Sequence, residues 1–291
     1  MSLRDAYGPN RFGLSFELFP PKTDAGEAEL FRNLVELMSF EPSYVTCTYG
    51  AGGSTRQKTL EIVERVYQQF RCPVASHLTC VGATVDDLRA YLREAAARGV
   101  ENIVALRGDP PKGESQFQAV AGGFRYALDL VSLIHGEFPQ FGIAVAGYPE
   151  THQEALSPQA DLENLKRKVD CGADVVITQL FYLNDDFFRF RDACARMGIG
   201  VPIVPGVLPV TNLAQIKRIT SLCGAKLPEE FVEALAAHND DPAEQFEVGV
   251  DFATRQVQEL IDGEVPGVHF YVLNKSPATA RVLRAVTRPA L

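Results

Sequence analysis

Apolar positions along this chain follow two alternating periods. Short runs with strand character end at glycine, proline or a polar turn. Each is followed by a stretch whose apolar residues recur three and four apart. Gly13 to Phe19 is the first run, closed by Pro20-Pro21. Tyr44 to Thr48, Val74 to Thr79, Asn102 to Leu106, Ile143 to Ala146, Asp174 to Thr178, Pro202 to Val207 and Val268 to Val272 follow in order. Helical spacing fills the intervals, as in Leu30, Phe31, Leu34, Val35 and Met38, or Ile62, Val63, Val66 and Phe70. Ser54 or Thr55, Thr84, Ser157-Pro158 and Asp241-Pro242 read as helix starts, and Gly99 as a stop. Eight strand-then-helix units predict an α/β chain folded as a single (βα)8 TIM barrel over residues 1–291. Extra helices, from Thr211 to Ile261, lie between strands seven and eight. An open doubly wound sheet is the alternative. No repeat above the βα unit and no Gly/Ser/Pro-rich linker divides the chain.

Composition narrows the function. A formal net charge of -9 argues against nucleic acid, so small molecules are the expected partners, together with further copies of the chain as a homo-oligomer. Cys47, Cys72, Cys80, Cys171, Cys194 and Cys223 include no CxxC pair and no Cys/His zinc spacing, so no metal is expected. Thiols in apolar runs behave as small hydrophobes and fit a reducing cytoplasm. Met1 to Phe19 lacks the apolar core of a signal peptide, and no apolar run is long enough to span a membrane.

In such a barrel the C-terminal ends of the strands carry the chemistry. Here they present Glu17, Thr48, His77, Arg107, Asp109, Tyr148, Gln179 and Tyr271. By alternation Glu17 faces away from Phe16 and Leu18. A carboxyl directed into the barrel mouth loses water, which favours its acid form and suits general-acid work; a buried carboxylate paired with an arginine is the other reading. Asp109 pairs with Arg107, caps the turn before Pro110, or faces a ligand. Gly108 would let a ligand approach the backbone. Two carboxylates at one mouth also suit glycoside hydrolysis, and a noncatalytic ligand-binding barrel is a third class. Gly50 to Gly53 lacks both the Lys-Ser/Thr ending of a P-loop and a GxGxxG pattern; its amides either hold a phosphate or form a plain turn. His77 alone in an apolar strand is ambiguous between core residue and ligand. Asp161, Asn164, Arg167 and Lys168 share a polar helix side whose cations could meet a pyrophosphate if the helix rims the mouth. Glu150 and His152 precede it, two metal-capable side chains without a third.

Several stretches together resemble the flavin-dependent methylenetetrahydrofolate reductases. They are Ser15-Phe16-Glu17-Leu18-Phe19-Pro20-Pro21, Val45-Thr46-Cys47-Thr48-Tyr49-Gly50, Ser76-His77-Leu78-Thr79-Cys80 and Ala105-Leu106-Arg107-Gly108-Asp109. Ala146-Gly147-Tyr148-Pro149-Glu150, Leu165-Lys166-Arg167-Lys168-Val169, Ile177-Thr178-Gln179 and His269-Phe270-Tyr271-Val272-Leu273-Asn274 continue the series in order. The resemblance implies a bacterial-type catalytic barrel with noncovalent FAD, NADH or NADPH as co-substrate, and a ping-pong reduction of 5,10-methylenetetrahydrofolate to 5-methyltetrahydrofolate. It implies a place in folate and one-carbon metabolism and methionine biosynthesis. By matched position Glu17 is the general acid, and Asp109 lies close to flavin and folate. Thr48, His77, Arg107, Gly108, Asp109, Ala146, Tyr148, His152, Asp161, Asn164, Arg167 and Lys168 hold FAD. Glu17, Gln179, Tyr271 and Lys275 face the substrate. Lys275 stands where the bacterial pattern has arginine, keeping the charge without the planar fork. The resemblance also implies no regulatory domain after the barrel and no S-adenosylmethionine control.

Overall fold

The two periods of the sequence become two layers. In the computed structural model, which describes residues 3–8, 11–49, 55–110, 113 and 116–287, all strand pairs are parallel. The strands are β1 (Gly13–Leu18), β2 (Tyr44–Cys47), β3 (Val74–Thr79), β4 (Asn102–Leu106), β5 (Gly142–Gly147), β6 (Val175–Thr178), β7 (Ile203–Val204), β8 (Gly206–Val207) and β9 (Gly267–Tyr271). They hydrogen-bond in the order β7-β6-β5-β4-β3-β2-β1-β9-β8.

The predicted seventh strand, Pro202 to Val207, is broken in the middle. Pro205 has no N–H to give to a ladder. The residues before it pair with β6 and those after it with β9, so β7 and β8 are consecutive pieces that close the ring. Neighbours repair the gap: His269 N donates to Pro205 O at 2.9 Å, and Gly206 N donates to Thr178 Oγ1 at 2.9 Å. The expected closed barrel is therefore present, with one split strand.

Alternation along the strands sorts side chains. Phe16, Leu18, Val45 and Ile103 face outward to the helices and build the main core. Tyr44, Ala75, Val104, Ala144, Val175, Ile177 and Val204 fill the barrel itself. Leu3, Ala6 and Tyr7 of a short 3-10 helix, Leu3–Tyr7, join this inner group at the strands' N-terminal end. That end is plugged, which leaves the C-terminal end for ligands.

The helices are α1 (Asp24–Met38), α2 (Arg56–Phe70), α3 (Val85–Ala97), α4 (Ala127–Glu137), α5 (Pro158–Asp170), α6 (Asn184–Arg196), α7 (Leu213–Cys223), α8 (Glu229–Ala237), α9 (Pro242–Asp262) and α10 (Pro277–Ala285). Thr84 and Asp87 form a reciprocal capping box on α3, while Ser157 and Asp241 cap α5 and α9 ahead of their first-turn prolines. Thr55 stands at the N-cap of α2 but makes no side-chain cap bond. The predicted extra helices are α7 to α9. They enclose a separate apolar cluster in which Phe231 stacks on Phe252 at 3.9 Å.

Candidate active site

Glu17 enters the barrel because its neighbours Phe16 and Leu18 face the helix layer. It is 8% exposed. Two histidines flank it, one from β3 and one from the adjacent β9: His77 Nε2 lies 3.4 Å and His269 Nε2 3.8 Å from Glu17 Oε2. No arginine or lysine pairs with it among the described residues, so the ion-paired reading does not hold. Burial pulls the His77 imidazole below its ordinary range, against the opposing pull of Glu17 and with a further lowering by His269. His77 is thus neutral near neutral pH.

A polar column supports this cluster. Ser15 Oγ lies 2.8 Å from His269 Nδ1, Tyr7 OH lies 3.4 Å from Ser15 Oγ, and the Tyr7 and Tyr44 hydroxyls are 2.6 Å apart. Sequence reasoning assigned no role to Ser15 or His269, although each heads a stretch of the family resemblance, because a small polar residue and a histidine in apolar strands suggest no chemistry by type alone. Their inward position follows from register: Ser15 pairs with His269 and Glu17 with Tyr271. Tyr271 donates its hydroxyl to Thr178 O at 2.7 Å.

The turn after β4 differs from its simplest reading. Arg107 pairs with Glu154 rather than Asp109, through Nη1 to Oε2 at 2.5 Å and Nη2 to Oε1 at 2.8 Å. Its guanidinium also lies over Phe117, 5.2 Å from the ring centre. Asp109 is exposed at the rim. Gly108 has φ +88°, and a Cβ there would fall 2.8 Å from the Val81 side chain, so this backbone stays bare.

Contacts tie the β4 turn to the loop after β5. His152 N donates to Asp161 Oδ2 at 2.9 Å, and Glu154 N donates to His152 Nδ1 at 3.0 Å. The Tyr148 and His152 rings meet edge to face at 4.6 Å. Glu150 accepts from Lys226 N at 2.9 Å. Among the described residues no group of three or more His, Cys, Asp or Glu side chains is placed to hold a metal.

Lys168 departs from the polar helix side it shares in the sequence with Asn164 and Arg167. Its Nζ turns inward and donates to Ala146 O at 2.9 Å. Burial pushes its pKa down to about 8, against the raising effect of Asp161. Asn164 and Arg167 stay exposed on the same helix, and Thr48 is half-buried at the end of β2. Gly50 to Gly53 lie outside the described residues. Gln179 is half-buried after β6, its Oε1 accepting from Leu180 N at 2.9 Å.

On the opposite side of the mouth, a cavity of about 270 Å³ opens between the ends of β8 and β9 and helices α7 and α10. Tyr271 and Lys275 line it, as do Leu208, Ile219 and Leu273. Gln215 is a polar wall residue that no sequence signal marks, being one glutamine on a helix.

A family model described as methylenetetrahydrofolate reductase matches residues 3–287. The 5,10-methylenetetrahydrofolate reductase of Escherichia coli (strain K12) is 39% identical over 291 residues, covering 100% of this chain and 95% of that protein. Methylenetetrahydrofolate reductase (NADH) 1 of Zea mays is 38% identical over 289 residues, covering 96% of this chain and 49% of the maize protein. The chain spans about half the length of the plant relatives it matches. Among solved structures, a Clostridium thermocellum protein that binds two copies of 5-methyl-5,6,7,8-tetrahydrofolic acid has the same fold. Its TM-score is 0.62 over 97% of both chains, at 13% identity.

Proposed function

The chain belongs to the methylenetetrahydrofolate reductase family, and on that premise we propose that it reduces 5,10-methylenetetrahydrofolate to 5-methyltetrahydrofolate with electrons from NADH or NADPH. The observation that carries the reading is Glu17, held inside the barrel mouth between two imidazoles and away from any arginine or lysine among the described residues. The family assignment displaces glycoside hydrolysis by Glu17 and Asp109.

Noncovalent FAD fits the residues present. Lys168 and Arg107, the latter paired with Glu154, would supply cations for a pyrophosphate, with exposed Arg167 on the same helix as Lys168. Buried Thr46 and Thr79 hydroxyls lack partners among the described residues, which leaves them for a ligand. Thr48, His77, Gly108, Asp109, Ala146, Tyr148, His152, Asp161 and Asn164 would complete the site. FAD, when bound, supplies the two-electron carrier between nicotinamide and folate.

The protein's own work is positional and protonic. Glu17 gives a proton to the folate nitrogen that leaves the methylene carbon, which opens the five-membered ring to an electrophilic iminium. The neutral His77 ring borders the resulting carboxylate without imposing a fixed positive charge, with the His269 ring on its other side. Asp109 favours the cationic folate by its charge. Gln179 hydrogen-bonds folate. Tyr271 and Lys275 wall the cavity that admits each partner in turn, Lys275 toward an anionic end of the ligand.

An anaerobic visible spectrum tests this. Purified protein with FAD should bleach on NADH or NADPH and recolour on methylenetetrahydrofolate. Bleaching without recolouring removes the folate assignment. A protein that takes up no FAD removes the flavoenzyme reading.

A further inference from the structure

β1 and β9 pair in register from Gly13↔Gly267 to Glu17↔Tyr271, and there the ladder stops. The chain after β9 turns away through Leu273 and Asn274, whose φ values of +49° and +60° lie in the left-handed region. Asparagine tolerates that region, and leucine does not favour it. The side chain of Asn274 then takes over where the ladder ends. Phe19 N donates to Asn274 Oδ1 at 2.8 Å, and Asn274 Nδ2 donates to Phe19 O at 2.8 Å. The amide thus behaves as one further rung between the two strand ends. Its backbone is held as well, since Asn33 Nδ2 on α1 donates to Asn274 O at 2.9 Å. Asn33 Oδ1 lies 3.0 Å from Ser276 Oγ, and Ser276 donates to Glu36 Oε2 at 2.6 Å.

The clasp joins two functional parts. Glu17 lies two residues before Phe19. Leu273 and Lys275, on either side of Asn274, line the cavity beside the mouth. We propose that Asn274 is a positioning residue, touching no reactant, that fixes the strand end bearing the proton donor Glu17 against the wall that seats the folate. This inference rests on the folate-reducing function proposed above. A turn that needed only a residue tolerant of positive φ would be served equally by glycine. Two matched hydrogen bonds to one backbone residue of another strand are what glycine cannot supply.

Asn274→Gly therefore separates the two roles, because it keeps the turn and removes the clasp. Asn274→Asp keeps the acceptor for Phe19 N and places a carboxylate oxygen against Phe19 O. Both variants are to be studied with FAD bound, by anaerobic stopped flow, with bound flavin and thermal unfolding measured alongside. The expected result is near wild-type flavin content and near wild-type flavin reduction by saturating NADH. The folate step at saturation should fall roughly 10- to 100-fold, with a raised folate KM. The nicotinamide step draws no proton from Glu17 and is the internal control. A glycine variant with an unchanged folate step overturns the proposal and leaves Asn274 as a turn residue. Parallel loss of both steps, with flavin released, also overturns it in favour of a general structural role. Wild-type protein that reduces flavin but never folate removes the functional premise, and the proposal with it.

Discussion

At the residue scale, Glu17 and Lys168 show how burial chooses between alternatives that residue types leave open. An arginine partner would tie the carboxyl into an ion pair, whereas Glu17 has two imidazoles for company, at 3.4 and 3.8 Å. Replacing Glu17 by Gln keeps the shape and removes the transferable proton. Flavin reduction by the nicotinamide should then stay within a few-fold of wild type, while folate reduction falls by roughly 10²- to 10⁴-fold. Anaerobic single-turnover rates of the two steps decide it, and equal losses would exclude the general-acid role. Lys168 offers a pH test. Its pKa of about 8 lies below the ordinary 10.5, so a growing fraction is neutral above pH 8. A pyrophosphate beside it favours the charged form and raises that pKa, so FAD binding takes up a proton. The sign follows: affinity is greatest below pH 8 and weakens as pH climbs through and above it. FAD fluorescence titrations from pH 7 to 10 should show this slope, and Lys168→Met should flatten it at a lower affinity. A wild-type affinity indifferent to pH would count against Lys168 as a phosphate contact.

At the scale of elements, the sequence was informative wherever one period or one cap decided the outcome. β3 and β4 have the limits expected from Val74 to Thr79 and Asn102 to Leu106, because proline, glycine and polar turns bound those apolar runs on both sides. The starts of α3, α5 and α9 were legible for the same local reason. The break at Pro205 was not, since an apolar run around one proline reads as continuous until its two neighbours are known. The Glu154 partner of Arg107 and the His269 partner of Glu17 were also hidden. Each is a contact between distant segments, 47 residues apart in the first pair. Close approaches are equally silent in the sequence. Gly249 sits inside α9, where glycine costs the helix about 1 kcal/mol relative to alanine. Its cause is tertiary: a methyl at Gly249 would overlap the Val210 carbonyl. Gly249→Ala should therefore destabilise the fold by about 1–3 kcal/mol despite the better helix former. Urea unfolding of the FAD-free chain measures it, and a stabilised variant would show that α9 can shift at no cost.

At the scale of the whole molecule, the proposed function divides the barrel mouth into two halves with different work. Candidate flavin contacts come from the ends of β2 to β5 and from α5, where His77, Arg107, His152 and Lys168 stand. The cavity beside β8 and β9 belongs to the later part of the chain, with Gln215 on α7 and Lys275 before α10. Glu17 on β1 lies where the halves meet, because β1 is hydrogen-bonded to β2 on one side and β9 on the other. On the proposed function, a resident cofactor on one half and exchanging partners on the other lets two ligands meet one flavin in succession, with Glu17 serving the folate alone. Ligand binding stabilises the segments it orders, by about 2.7 kcal/mol at a hundredfold excess over Kd. FAD should therefore slow amide hydrogen exchange in residues 77–81, 107–109 and 148–168 and leave residues 208–219 and 271–279 nearly unchanged. Adding 5-methyltetrahydrofolate to the FAD-bound protein should protect the second group. Mass-resolved exchange on the free, FAD-bound and doubly bound protein reads both halves at once. If FAD alone protected both groups equally, the mouth would be one continuous flavin site, and the cavity beside β9 would lose its role as the seat of the exchanging substrates.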